Sequence, residues 1–126
     1  PLFPETITEV GPVPVVPYGE PLTQKLADNF LPFLQKYNGF LMENHGYVFI
    51  TPWDIKWAQM CTYLLEMTAL HIIHAGSLGG NIKEIGYEDL QNMGNIMKTR
   101  ALPLPGAPGK WSSLEDMYFP DGPPKS

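Results

Sequence analysis

The chain of 126 residues has 44% hydrophobic residues, 12% aromatic residues and a formal net charge of −5, which suits a packed globular core. Its eight Lys and Arg residues form no basic stripe, so neither nucleic acid nor a membrane surface is expected as a partner. Apolar runs fall short of the ~20 residues of a membrane span, and the single cysteine excludes an intrachain disulfide. These features favour a soluble protein of the reducing cytoplasm.

The 14 prolines cluster near both ends, at residues 1–21 and 101–124, and leave the sequence between them almost free of proline. This distribution predicts a folded body with two extended ends. The first nine residues lack the basic and apolar regions of a secretory signal. Because the sequence starts on Pro1 and not on a methionine, we expect it to be the continuation of a longer polypeptide.

The first predicted element is an edge strand or extended segment at residues 12–18, where prolines alternate with valines and missing N–H donors do no harm. A helix is predicted next, over residues 23–37. Its apolar positions recur at helical spacing, at Leu26, Phe30, Phe33, Leu34 and Tyr37. Pro32 is expected to kink this helix or to start a second turn, and Asn38-Gly39 signals its end.

Two short strands are predicted at residues 40–43 and 47–50. Between them lies Asn44-His45-Gly46, a triplet that favours a turn or an unusual backbone conformation. His45 is therefore placed at the junction of the two strands.

A long helix is predicted after the second strand, because Thr51-Pro52-Trp53-Asp54 combines an N-cap hydroxyl, a proline at the first helical position and a carboxylate in the first turn. It is expected to reach about residue 75. Cys61 is assigned to its buried side, and Trp53 and Trp57 are assigned to packing rather than to ligand stacking.

A shorter helix is predicted at residues 87–97, followed by a Pro/Gly-rich tail at residues 99–126. Within the tail, Ser112-Ser113-Leu114-Glu115 resembles a capping box for one helical turn. Two alternatives stay open for the tail. It is disordered, or its apolar groups dock on a neighbouring subunit or cover a site; these groups are Trp111, Leu114, Met117, Tyr118 and Phe119.

The order of these elements resembles the C-terminal half of the class II aldolase/adducin family. Residues 11–18, leading into the helix that starts at residue 23, match the strand and helix before the family's metal-binding strand. Asn44-His45-Gly46 falls where the family places its third zinc-ligating histidine. Residues 75–80 and 87–94 look like the end of the rhamnulose-1-phosphate aldolases of this family. The resemblance covers residues 4–98.

This resemblance implies an α/β fold, a three-layer α/β/α sandwich with a largely antiparallel central sheet. Residues 1–98 would supply the C-terminal half of that domain. The implied function is zinc-dependent aldol cleavage of a sugar phosphate, a ketose 1-phosphate, through a metal-stabilised enediolate. The resemblance further implies a Zn²⁺ cofactor, a homotetramer, and an N-terminal half of the domain as partner.

His45 is the metal ligand that the resemblance implies for this chain. The family's His-x-His pair and catalytic glutamate are absent from this sequence, so the segment alone is not expected to hold zinc tightly or to catalyse. Glu43 and Asn44 are candidates for the second shell around His45, although Glu43 could equally point away, because side chains alternate along a strand. His71 and His74 share a helix face but lack a third ligand at suitable spacing, so their structural role is preferred.

Four alternatives to the aldolase remain open. An epimerase or a decarboxylase of the same family would use the same enediolate stabilisation on another substrate. An adducin-like binding module would keep the fold without the metal chemistry. A stand-alone small domain would carry an incidental Asn-His-Gly turn.

Overall fold

A computed structural model describes residues 1–124 as a mixture of helices and a small sheet, as predicted for an α/β fold. The elements in chain order are α1 (Pro4–Glu9), β1 (Val15–Val16), α2 (Gln24–Leu34), β2 (Gly39–Met42), β3 (Gly46–Phe49), α3 (Ile55–Ser77), α4 (Tyr87–Thr99) and α5 (Leu114–Tyr118). Within these residues, no helix is both long and apolar enough to cross a membrane.

The first helix, α1, corrects the prediction of an extended N-terminal end. Pro4 occupies the start of the helix, where its missing N–H is harmless and its fixed φ angle is already helical. Ile7 and Val10 are each only 1% exposed. Their burial against later parts of the chain stabilises a helix of six residues that would be marginal by itself.

The sheet has three strands in the order β1-β2-β3. β1 pairs with β2 in parallel, with Val15 opposite Leu41, whereas β2 and β3 form an antiparallel hairpin. The strand predicted at residues 12–18 shrinks to two residues but lies at the sheet edge as expected, because its prolines cannot donate to a ladder. The three strands described do not test a three-layer sandwich, which stays a proposal for the larger domain.

The two faces of the sheet contact different helices. On one face, the ring of Phe40 meets Phe30 of α2 edge to face, with centroids 5.7 Å apart. α2 continues through Pro32 to Leu34, and Thr23 caps its start by accepting the Leu26 N–H. On the other face, Tyr47 lies near Cys61 of α3, which is fully buried as predicted.

The N-cap of the long helix α3 is Asp54, three residues later than the Thr51 cap predicted from the sequence. The Asp54 carboxylate accepts the Trp57 N–H at 3.0 Å and is the N-cap, while the Thr51 hydroxyl accepts from the Trp53 N–H. A carboxylate is as good an N-cap as a hydroxyl and also interacts favourably with the helix dipole. α3 is tied to α1 by a 2.7 Å hydrogen bond between the hydroxyls of Thr6 and Thr68.

A buried hydrophobic core joins the two ends of the chain. Its buried members come from α1, α4 and α5 and are Ile7, Leu90, Met97, Leu114 and Met117. The start of α5 is capped by Ser113, which accepts the Asp116 N–H, one residue later than the predicted capping box. Residues of the tail are therefore part of a packed core, and the disordered alternative does not describe them.

A clasp of hydrogen bonds also holds the tail against the end of α2. The Lys36 carbonyl accepts from the Trp111 indole N–H at 2.8 Å and from the Ala107 N–H at 3.0 Å. The side-chain amide of Asn38, with its oxygen toward the Gly106 N–H, pairs with both backbone groups of Gly106. Gly106 has φ 86, and a Cβ there would lie 2.7 Å from the Lys36 carbonyl oxygen, so only glycine fits.

Candidate metal centre

His45 lies in the turn of the hairpin, between β2 and β3, as the sequence predicted. Its N–H donates to the Met42 carbonyl at 3.0 Å and closes the turn. Asn44 has a φ of 56, a left-handed conformation that asparagine tolerates better than most residues. The His45 side chain is exposed at the tip, where ligands from outside these residues can approach it.

Glu43 holds the turn to the segment that follows β1. Its carboxylate accepts the Tyr18 N–H at 2.9 Å, and its own backbone N–H donates to the Val16 carbonyl at 3.0 Å. The side chain is therefore engaged with Tyr18 rather than with the imidazole. An orienting role of Glu43 or Asn44 toward His45 stays a prediction.

Asn29 of α2 holds the segment that follows β1, a role that the sequence pattern did not indicate. Its side-chain amide donates to the carbonyls of Pro17 at 3.0 Å and Tyr18 at 3.1 Å. The same segment is thus gripped by Asn29 from the helix and by Glu43 from the turn. Asparagine is often used to satisfy loop carbonyls, but sequence alone does not identify the partner, which is 11 or 12 residues distant.

His45 is the one metal donor that the sequence predicts for this chain. Within residues 1–124, no group of three or more His, Cys, Asp or Glu side chains is placed to hold a metal ion. His71 lies on α3 with its ring 5.3 Å from that of Phe3. A catalytic zinc needs about three protein ligands, so this donor set fits zinc only if other parts of a complete domain add the rest.

A concave region, separate from the His45 turn, lies where α1, the start of α3, α4 and the tail meet. It consists of two adjoining cavities of about 590 and 350 Å³, both lined by Thr8, Glu9, Trp53, Trp57 and Pro103. The two indole rings are 6.5 Å apart, and Trp53 is 60% exposed. Burial raises the pKa of the Glu9 carboxyl above its ordinary value. The sequence analysis assigned the two tryptophans to packing and did not predict that they line a cleft.

Two other side chains with raised pKa values, Cys61 and Tyr47, lie where α3 packs against the sheet. Burial, reinforced by the nearby Glu9, raises the pKa of the Cys61 thiol to about 11, and the thiol donates to the Glu9 carbonyl. Burial also raises the pKa of Tyr47, whose hydroxyl has no hydrogen-bond partner among the described residues. At neutral pH both groups are protonated, so neither is a ready nucleophile or base.

Comparison with known proteins gives one partial relative. The chain is 36% identical over 76 residues to a 3-oxo-tetronate 4-phosphate decarboxylase of Pectobacterium atrosepticum. The match covers 60% of this chain and 34% of that protein, so the chain spans about a third of the curated relative's length. No family model and no solved structure matches the chain.

Proposed function

We propose that this chain is part of a lyase of the class II aldolase/adducin family, and that the complete protein decarboxylates a phosphorylated 3-oxo sugar acid. The observation that carries the proposal is the 36% identity over 76 residues to a decarboxylase that acts on such a substrate. That relative is a member of the family whose motif order this sequence resembles. The comparison favours decarboxylation over the aldol cleavage that the resemblance first implied.

The chemistry of a 3-oxo acid explains why one kind of site serves both reactions. When the C1–C2 bond breaks, carbon dioxide leaves and the bonding electron pair moves toward the C3 carbonyl oxygen. The resulting enediolate takes a proton at C2 and becomes dihydroxyacetone phosphate when the acid is a 3-oxo-tetronate 4-phosphate. Aldol cleavage of a ketose 1-phosphate produces the same enediolate, with an aldehyde as the leaving group in place of carbon dioxide.

His45 is proposed as this chain's contribution to a divalent metal site, with zinc as the ion. A metal bound there would stabilise the negative charge that develops on the substrate's carbonyl oxygen. The tight hairpin turn places the imidazole at an exposed tip, and the contacts of Glu43 and Asn29 fix the neighbouring segment. A turn that is fixed in this way would lower the entropy cost of assembling a site around His45.

The second candidate is the metal-dependent aldolase acting on a ketose 1-phosphate such as rhamnulose 1-phosphate. It rests on the resemblance of residues 75–80 and 87–94 to the end of the rhamnulose-1-phosphate aldolases, noted in the sequence. The two candidates share dihydroxyacetone phosphate as a product but differ in the second product. That difference makes them separable by one assay.

The proposed protein also includes an N-terminal half of the domain and assembles as a homotetramer. The surface of α3 supports the presence of a covering segment or subunit. Of its residues Cys61 is buried, whereas several large apolar side chains are exposed. Ile55 is 81% exposed, Tyr63 63% and Ile73 64%. Apolar side chains exposed along one helix are typical of a surface that another segment or subunit covers.

The test is an assay of the complete protein with zinc, using 3-oxo-tetronate 4-phosphate, rhamnulose 1-phosphate and a ribulose phosphate. Release of carbon dioxide is expected from the first substrate. Release of an aldehyde from the second would favour the aldolase, and conversion of the ribulose phosphate without cleavage would favour an epimerase. No turnover of any substrate would favour a binding module and contradict the proposal.

The role of His45 is tested separately from the choice of substrate. His45→Ala should remove most of the bound zinc and lower kcat by at least about a hundredfold, because a metal site deprived of a direct ligand loses affinity and geometry. His71→Ala and His74→Ala are the matched controls and should keep both zinc and activity. Full zinc occupancy in His45→Ala would refute the assignment.

A further inference from the structure

The cleft between α1, α3 and α4 has the dimensions of a small-molecule site. It is the cavity of about 590 Å³ lined by α1, the start of α3, α4 and the segment after α4; we call it the tryptophan cleft. Its lining residues are Thr8, Glu9, Trp53, Asp54, Trp57, Met93, Ile96, Met97, Leu102 and Pro103. Pockets for small ligands are typically about 300–1,000 Å³ and are mostly apolar with a few polar groups. His45 is not among its lining residues, so the cleft is separate from the candidate metal centre.

The walls of the tryptophan cleft are aromatic and aliphatic. Trp53 and Trp57 line one side, and Met93, Ile96 and Met97 of α4 line the other. Trp53 is 60% exposed and Ile96 is 53% exposed, so the described residues leave the apolar mouth uncovered. An aromatic face carries partial negative charge, which attracts a cation placed over the ring.

The ionisable side chains that line the tryptophan cleft are both acidic. They are Glu9 and Asp54, and no Lys, Arg or His side chain joins them. The ion pairs among residues 1–124 lie elsewhere, between Lys25 and Glu20 and between the N-terminus and Glu84. A partly buried carboxylate without a counter-ion is unfavourable, in keeping with the raised pKa of Glu9. An organic cation would supply the missing charge.

We propose that the tryptophan cleft binds a small organic cation, a primary ammonium group carried on an apolar body. The ammonium group pairs with the carboxylates of Glu9 and Asp54. The apolar body packs against the indole rings of Trp53 and Trp57. Neither an anion nor a phosphate ester fits this lining, so the site is not the substrate site of the proposed lyase.

The test compares three probes that share a phenylethyl body, on the complete protein, by isothermal titration calorimetry. They are 2-phenylethylammonium, the neutral 2-phenylethanol and the anionic 3-phenylpropionate. The ammonium should bind about tenfold more tightly than the alcohol, since a cation–π contact and a carboxylate pair together favour it by about 1.4 kcal/mol. The carboxylate probe should bind more weakly than the alcohol.

Two charge-removing variants separate the proposal from unspecific apolar binding. Glu9→Gln should lower the ammonium affinity about fivefold and leave the alcohol affinity unchanged. Asp54→Asn removes the other charge while keeping a side chain able to cap α3, and it should act in the same direction. Glu88→Gln, an exposed carboxylate outside the cleft, is the matched control.

Three results would overturn the proposal. The first is equal binding of the ammonium and the alcohol. The second is an ammonium affinity that neither Glu9→Gln nor Asp54→Asn changes. The third is no ammonium binding up to about 10 mM, which would mean that another part of the complete protein fills the cleft. Activity of the lyase is measured in parallel and does not depend on any of these outcomes.

Discussion

Leu114→Ala tests whether the tail is an integral part of the fold. Leu114 is fully buried at the start of α5, in the core that also contains Ile7 and Leu90. If the packing is as described, shortening this side chain should destabilise the whole chain and not only the tail. The measurement is urea denaturation followed by far-ultraviolet circular dichroism, with the free energy of unfolding obtained by linear extrapolation.

The size of the effect follows from the burial of Leu114. Replacing leucine by alanine removes three carbons, and at about 0.8 kcal/mol per buried methylene the lost transfer free energy is about 2.5 kcal/mol. The cavity left behind adds to this loss, because the neighbouring side chains relax only in part. The total is about 3–4 kcal/mol, which should lower the melting temperature by about 10 °C.

The matched control is Leu78→Ala, the same chemical change at a side chain that is 86% exposed. Its effect on the free energy of unfolding should be below about 0.5 kcal/mol. Equal stability of the Leu114→Ala protein and the unsubstituted protein would refute the packing of the tail. A similar loss in both variants would show that burial does not explain the effect.

Two further predictions concern groups whose pKa is raised by burial. Burial raises the pKa of the Cys61 thiol to about 11. At pH 8 the folded protein should therefore react with a thiol reagent at least about a hundredfold more slowly than the protein unfolded in urea. Comparable rates in the two states would contradict the burial of Cys61. For Glu9, the raised folded pKa means that its contribution to stability is greatest below pH 4.5 and is lost as pH rises through the folded value. Glu9→Gln should therefore stabilise the protein at pH 7, by about 0.5 kcal/mol or less after solvent screening, with no gain at pH 4 in thermal melts.

Features with local causes were predictable from the sequence. The Asn44-His45-Gly46 turn, the two strands beside it and the burial of Cys61 follow from turn chemistry and apolar periodicity, and the structure confirms them. The strand boundaries are shifted by one residue. The helix cap at Asp54 was misplaced to Thr51 because both residue types are good caps and only tertiary packing decides between them.

Features with distant causes were not predictable. Helix α1 is stabilised because Ile7 joins a buried cluster with residues of α4 and α5, which lie far along the chain and which no local pattern identifies. The tryptophan cleft likewise depends on α4 lying opposite Trp53 and Trp57. At the candidate metal centre, His45 was placed correctly in its turn, but its role as a ligand depends on donors that residues 1–124 do not supply.

The core that joins α1 to α5 has a consequence for synthesis of the protein. During translation Ile7 is made well before Leu114, which joins the same core only after all the residues between them have been added. Until then, the core around Ile7 is incomplete even where α3 and α4 are already present, and its apolar side chains are open to chaperones or to aggregation. A ribosome that stalls before the Leu114 codon would therefore release a chain in which α1 keeps its hydrogen bond to α3 but lacks the part of its core that α5 supplies.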